Sequence, residues 1–171
     1  MRLLLLIISF CLLLLVNHSV AQDTLKIRQT AKLMTDAFVR EDFSVLMDYT
    51  YPKVISLGGG KENMKVIIEN AMNEMKSQGF TFRSITLGAI SKIYKAGTEL
   101  HCKIVQHLAL NAKGGYLTST SPLMCISSNG GDSWTFISTS NLDEKKIKLL
   151  FPDFNYELVL EKASVPIFSA E

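Results

Sequence analysis

The sequence predicts an α+β domain in which helices come first and a long antiparallel sheet follows. Three observations carry that prediction. Apolar residues recur at helical spacing up to about residue 77. From Phe80 to Ser140 the chain changes to strand-like segments punctuated by turn residues at regular intervals. The connections between those segments are only a few residues long, which makes neighbouring strands antiparallel.

In chain order, Asp23 or Thr24 caps a first helix running to about Arg40, with Ile27, Ala31, Met34 and Phe38 on one face. Glu41-Asp42 opens a second, shorter helix carrying Phe43, Leu46 and Met47. Pro52 biases Tyr51 towards an extended backbone and ends it. Val54-Ile55-Ser56-Leu57 reads as a short strand and Gly58-Gly59-Gly60 as a turn. Lys61 to Ser77 is the third helix. Met64, Ile67, Ile68, Ala71, Met72 and Met75 form its apolar stripe, which is either core or an adaptable groove, and Gly79 stands at its C-terminal end. Strands follow at 80–94, 98–110, 116–127 and 133–139. Ser140 or Asn141 caps a short helix containing Ile147, Leu149 and Leu150, stopped by Phe151-Pro152. The tail has one strand-like piece, Leu158-Val159-Leu160. The expected architecture is three N-terminal helices packed on one face of a curved antiparallel sheet, with a short C-terminal helix and an extended tail.

The ends set the domain organisation. Met1-Arg2 and the apolar run Leu3 to Val16 precede Ser19-Val20-Ala21, small residues at the positions a signal peptidase reads. Fourteen helical residues span about 21 Å, short of a bilayer core of roughly 30 Å. Residues 1–21 are therefore expected to be a signal peptide cleaved after Ala21. Residues 22–150 form the domain and 151–171 the tail, in a protein exported to the periplasm or secreted. This leader inflates the 47% hydrophobic content; the rest of the chain has the polarity of an ordinary soluble domain. Eighteen basic residues against 16 acidic ones leave a net charge of +2, which argues against nucleic-acid binding through bulk charge. No membrane contact is expected after cleavage.

Alternation over 98–110 puts Leu100, Cys102, Ile104, Gln106, Leu108 and Leu110 on one face, towards the helices. Glu99, His101, Lys103, Val105 and His107 face the other way. A hairpin closing around 111–116 pairs residue i with 227 minus i, so that Cys102 faces Cys125, Ile104 faces Leu123 and Gln106 faces Ser121. After export these two cysteines either form a disulfide or remain buried thiols. Gln106, Ser119 and Ser121 are polar groups on an apolar face: a satisfied core network or the floor of a pocket. The outer face, with His101, Val105, His107, Met124 and Ile126, is too apolar for a purely solvated surface. A homodimer contact and docking of the tail are the two readings of it.

Several segments, taken in order, resemble the nuclear transport factor 2-like superfamily. They are Asp36-Ala37-Phe38 with Asp42-Phe43, Tyr51-Pro52-Lys53-Val54, Gly58-Gly59-Gly60-Lys61, and Gly131-Asp132-Ser133-Trp134-Thr135-Phe136. The resemblance covers roughly residues 24–140. It implies a cone-shaped, cystatin-like α+β fold shared with SnoaL-like cyclases and ketosteroid isomerase-like enzymes, in a small exported bacterial member. Catalytic relatives carry a general base inside the cone, a carboxylate or a His–Asp pair. Here the inner strand face carries no Asp, Glu or His, and Gln106 cannot serve as a base.

Other chemistries are absent from the pattern. His101 and His107 stand roughly 20 Å apart along one strand, too far to share a metal. Gly58-Gly59-Gly60-Lys61 lacks the earlier glycine and the following Ser or Thr of a phosphate loop. Neither metal nor cofactor is expected. The pocket candidates are Tyr49, Tyr51, Gln106, Ser119, Ser121 and Trp134. The leading expectation is a non-enzymatic domain that binds a small apolar ligand or a partner protein. The alternatives are an isomerase-like enzyme using Tyr49 or Tyr51 to polarise a carbonyl, and a structural dimerisation module.

Overall fold

The computed structural model describes residues 23–171; the leader and its cleavage point lie outside the described residues. The chain is helical over residues 23–39 (α1), where Ile27, Ala31 and Met34 are buried. Glu41 makes the bend that follows with a left-handed backbone (φ 60°), and its carboxylate pairs with Lys76 Nζ at 2.5 Å. α2 spans Phe43–Tyr49 and is capped by Asp42, whose Oδ1 accepts from the Val45 N–H at 3.2 Å.

The stretch expected as a strand is a helix, α3, Pro52–Leu57. Tyr51 is extended before the proline, as expected, but Pro52 then occupies the first helical position. There its missing N–H costs nothing and its fixed φ favours the helix. Burial of Ile55 outweighs the strand preference of the β-branched pair Val54-Ile55. Among the described residues, four helical segments rather than three therefore precede the sheet. Gly59 and Gly60 adopt φ of 84° and 95°, turning the chain into α4, Lys61–Ser77. The apolar stripe of α4 is narrower than its periodicity implied. Met72 is buried, Met64, Ile68 and Met75 are partly buried, and Ile67 is half exposed.

Six strands form one antiparallel sheet: β1 Thr81–Ile90, β2 Tyr94–Ala96, β3 Glu99–Ala112, β4 Gly115–Ser127, β5 Thr135–Ser138 and β6 Ile167–Ala170. The main order is β1-β3-β4-β5, with β2 also on β3 and β6 also on β4. The β3–β4 hairpin closes on Lys113-Gly114 and keeps the expected register throughout, from Ala112↔Gly115 to Leu100↔Ser127. Its inner face joins Cys102, Ile104, Leu123 and Cys125 to Ile27, Ala31, Met34, Leu46 and Met72 in one buried cluster.

The outer face is covered by the end of the chain. α5, Glu144–Leu150, is capped by Asp143, not by Ser140 or Asn141. The tail then lays Phe151, Phe154 and Leu158 over Tyr51, Met124 and Ile126 in a second buried cluster. His101, Met124 and Ile126 are buried beneath it, so a second copy cannot reach those side chains. Leu158-Val159-Leu160 is not a strand; the tail strand is β6, paired with β4 through Thr118↔Ile167 and Gly115↔Ala170. Irregular backbone suits 158–160 because Lys103 Nζ takes the Val159 carbonyl at 2.7 Å, a contact outside any ladder.

Candidate functional site

Two concave regions flank the tail. The larger, about 320 Å³, is a cleft on the outer face of β1, β3 and β4, with Ser164 and Ile167 of the tail as one wall. Strand register builds its floor from two cross-strand rows. Ser84, Ala109 and Thr118 form one; Thr86, His107 and Thr120 form the other. These side chains share a face because they are two residues apart on each strand. The tail wall is held by two hydrogen bonds: Thr120 N–H donates to Ser164 Oγ at 2.8 Å, and Ser164 N–H donates to Thr120 O at 2.9 Å. Gly88 on β1 makes room for the His107 ring, since a Cβ there would stand 3.1 Å from Nε2. Among the described residues no Asp, Glu, Lys or Arg lines the cleft.

The smaller cavity, about 210 Å³, lies where the tail leaves α5. Its wall contains a three-residue network. Tyr51 Oη donates to Glu99 Oε1 at 3.0 Å, and His101 Nε2 lies 3.0 Å from Glu99 Oε2. The carboxylate is an acceptor, so the network places the imidazole proton on Nε2 and leaves Nδ1 as a bare lone pair. Nδ1 is buried with no protein partner. Burial holds the His101 pKa below its usual value, outweighing the opposing pull of Glu99. Burial, then the bond to Glu99, pushes the Tyr51 phenol well above its ordinary range. Phe151 closes the network from above, stacked on Tyr51 at 5.1 Å and edge-on to His101 at 5.2 Å. Lys53 Nζ holds the Leu150 carbonyl at 2.9 Å. Tyr51, Glu99 and His101 thus occupy one another under the tail. The arrangement fastens the chain end.

The residues singled out from sequence do not converge on one pocket. Tyr51 lines the tail cavity and Ser119 the outer cleft. Tyr49 packs against the inner core, and Trp134 is buried within it with its Nε1 unpartnered. Gln106 and Ser121 face each other across β3–β4 and are both buried. Ser121 Oγ lies 2.5 Å from Ser140 Oγ, so at that position the polar group is satisfied. Asp36 and Asp48 are surface groups, paired with Lys32 at 2.6 Å and Lys61 at 2.5 Å.

Cys102 and Cys125 stand opposite each other, both fully buried and both free thiols. The backbone of Lys103 bonds Ser91, and that of Pro122 bonds Thr139, so both residues turn their hydrogen-bonding groups away from the hairpin. Alternation then makes Cys102–Cys125 a hydrogen-bonded pair, with Cα atoms about 5.5 Å apart. That separation lies within disulfide reach, and the structure carries the pair as thiols. Burial raises the Cys125 thiol pKa, which keeps it protonated and unreactive.

Sequence reasoning missed the Glu99–His101 pair because it sought a base only on the inner face. The signal available was their spacing of two on one strand, which sets carboxylate and imidazole side by side. It also missed the hydroxyl rows, legible as Ser84-x-Thr86 and Thr118-x-Thr120 once the register is fixed. The chain matches no known protein-family model, no curated protein and no solved structure.

Proposed function

We propose that this is an exported, non-enzymatic binding domain that holds a small ligand in the cleft between its outer sheet face and its tail. The observation that carries the reading is the cleft itself. About 320 Å³ is within the size range of small-molecule sites, and its lining pairs a small apolar floor with several convergent hydroxyls. Among the described residues His107 is the one ionisable side chain lining it. It has no protein hydrogen-bond partner to orient it, as a general base would need. The leader in residues 1–21 supports export. The order of helices and strands, with the motifs around Asp36, Pro52, Gly58 and Trp134, supports a cone-shaped fold of the nuclear transport factor 2-like kind. Isomerase-like catalysis through Tyr51 is less well supported, since its hydroxyl is already engaged by Glu99. Dimerisation is left the part of the outer face around Val105, outside the cleft.

The test is native mass spectrometry of protein isolated from its own compartment without denaturant. The expected result is a chain beginning at Gln22 that carries a small molecule lost on unfolding. Ala109→Phe, which fills the cleft floor, should abolish the extra mass while leaving the circular dichroism spectrum unchanged. Retention of the same molecule by the filled variant, or no bound molecule from any preparation, sinks the reading.

A further inference from the structure

We infer that the ligand of this cleft is a neutral, polyhydroxylated molecule of about disaccharide size; this inference rests on the binding reading above. Three features of the lining argue for that class. The first is charge. Among the described residues no Asp, Glu, Lys or Arg faces the cleft and His107 is its one ionisable side chain, so a carboxylate, phosphate or ammonium ligand would be desolvated there without a permanent counter-charge.

The second is hydrogen-bonding capacity. The side-chain hydroxyls of Ser84, Thr86, Thr118 and Thr120 make no hydrogen bond to the protein, and none of the four is sealed from solvent. Each can donate one bond and accept two. A fatty or aromatic ligand would strip water from all four and return nothing, whereas a polyol replaces that water group for group.

The third is spacing. Ser84↔Ala109↔Thr118 and Thr86↔His107↔Thr120 are aligned rows across three adjacent strands. Strands lie about 4.8 Å apart and alternate residues about 6.6 Å apart, so the four hydroxyls mark the corners of a frame roughly 10 by 7 Å. The centre of the frame is Ala109, which has no bulk, and the His107 imidazole, which offers a ring face and two nitrogens. Ile167 adds an apolar surface on the tail side. Hydroxyls at the rim with a flat, partly apolar centre suit a sugar ring, polar at its edge and C–H-lined on its faces.

The experiment is a titration of isotopically labelled protein followed by amide NMR. The neutral probes are maltose, cellobiose and the N-acetylglucosamine disaccharide. The comparison probes are digalacturonate, the glucosamine disaccharide and decanol. The expected result is that at least one neutral saccharide shifts the amides of Thr86, His107, Thr118 and Thr120. Thr86→Val and Thr118→Val should each weaken its binding by roughly 3- to 10-fold, the value of one hydrogen bond. Valine keeps the branched shape that suits a strand, so the variant spectra should otherwise superimpose on the parent. If a charged probe or decanol shifts the cleft amides and no saccharide does, the ligand class is wrong and the binding reading stands. If the saccharides shift only amides elsewhere, or the valine variants bind unchanged, the class is likewise overturned. If no probe of any class disturbs the cleft, and native mass spectrometry finds no bound molecule, both fall together.

Discussion

Replacing Phe151 by alanine should free the tail. Phe151 is 1% exposed, stacks on Tyr51, and meets His101 edge-on. Removing a fully buried phenylalanine costs about 3–5 kcal/mol, the sum of lost transfer energy and the cavity left behind. A loss of about 4 kcal/mol shifts the docking equilibrium by nearly three orders of magnitude. Other contacts still fasten the tail, including the Lys103–Glu161 and Arg83–Glu171 ion pairs. Arg83–Glu171 is exposed on both sides and Lys103–Glu161 on its Glu161 side, so each contributes little individually. The variant should therefore keep its inner core while its tail opens as a local unit. Hydrogen exchange is the decisive assay. The Ser164 amide, bonded to Thr120 O, and the amides of β6 should lose protection by two to three orders of magnitude, while those at Cys102 and Ile104 change little. If docking and global unfolding are coupled, the same loss appears instead as a melting temperature lower by about 8–16 °C. A variant losing under about 1 kcal/mol with tail amides fully protected would refute the claim that this cluster holds the chain end.

Three further outcomes follow from the geometry. His101 has a depressed pKa in the fold, so its contribution to stability is complete above its unfolded value near 6.5 and declines as pH falls through that value towards the folded one. The charged and titratable groups around it are Glu99, Tyr51, Lys53 and Asp153; tail protection factors, taken relative to the intrinsic exchange rate at each pH, should fall from pH 8 to pH 5, and His101→Gln should flatten the profile. The two core thiols should resist Ellman's reagent in the native state and both react on unfolding without reductant; loss of both from the unfolded count would mean that a disulfide had formed. Gly115→Ala should displace β6, because its Cβ would stand 2.1 Å from the Ser169 carbonyl oxygen; the expected cost is about 1–3 kcal/mol, read as exposure of the amides of residues 167–170 with the β3–β4 hairpin intact.

The parts of the fold legible in the sequence were those set by local rules. A two-residue turn at Lys113-Gly114 and strict alternation on both flanking strands determine the β3–β4 register, since a slip of one residue would expose Cys102 and Ile104. The misread elements are those where a tertiary contact decides between two local options. Val54 to Leu57 has strand propensity, but Pro52 starts a helix there and Ile55 has a core to enter. Leu158-Val159-Leu160 has strand propensity too, yet Leu158 buries itself singly over the sheet while Val159 stays exposed. Ile167 to Ala170 is no better patterned and becomes the strand because Gly115 leaves space for it. The candidate site was hidden for a related reason. Alternation assigned His107, Thr118 and Thr120 to the outer face, but nothing local indicates that the tail returns to build a wall over them.

That return links the two concave regions. The same 21 residues that cover His101 supply Ser164 and Ile167 to the cleft, so the wall of the cleft is only as well fixed as the clasp upstream of it. Between Leu158 of the clasp and Ser164 of the wall, the chain makes few contacts: Lys103 holds Val159 and Glu161, and residues 161–163 are exposed. A ligand bound against Ser164 would favour the docked tail, and a change that loosens Phe151 would weaken the ligand in proportion to the fraction of tail that comes undocked. Phe151→Ala, which touches no cleft residue, should thus reduce ligand affinity, whereas Thr118→Val should reduce affinity and leave the tail docked. The pair of variants separates a wall that is positioned from a contact that is made. Equal affinity in Phe151→Ala and the parent would mean that β6 alone, without the clasp, is enough to hold the wall in place.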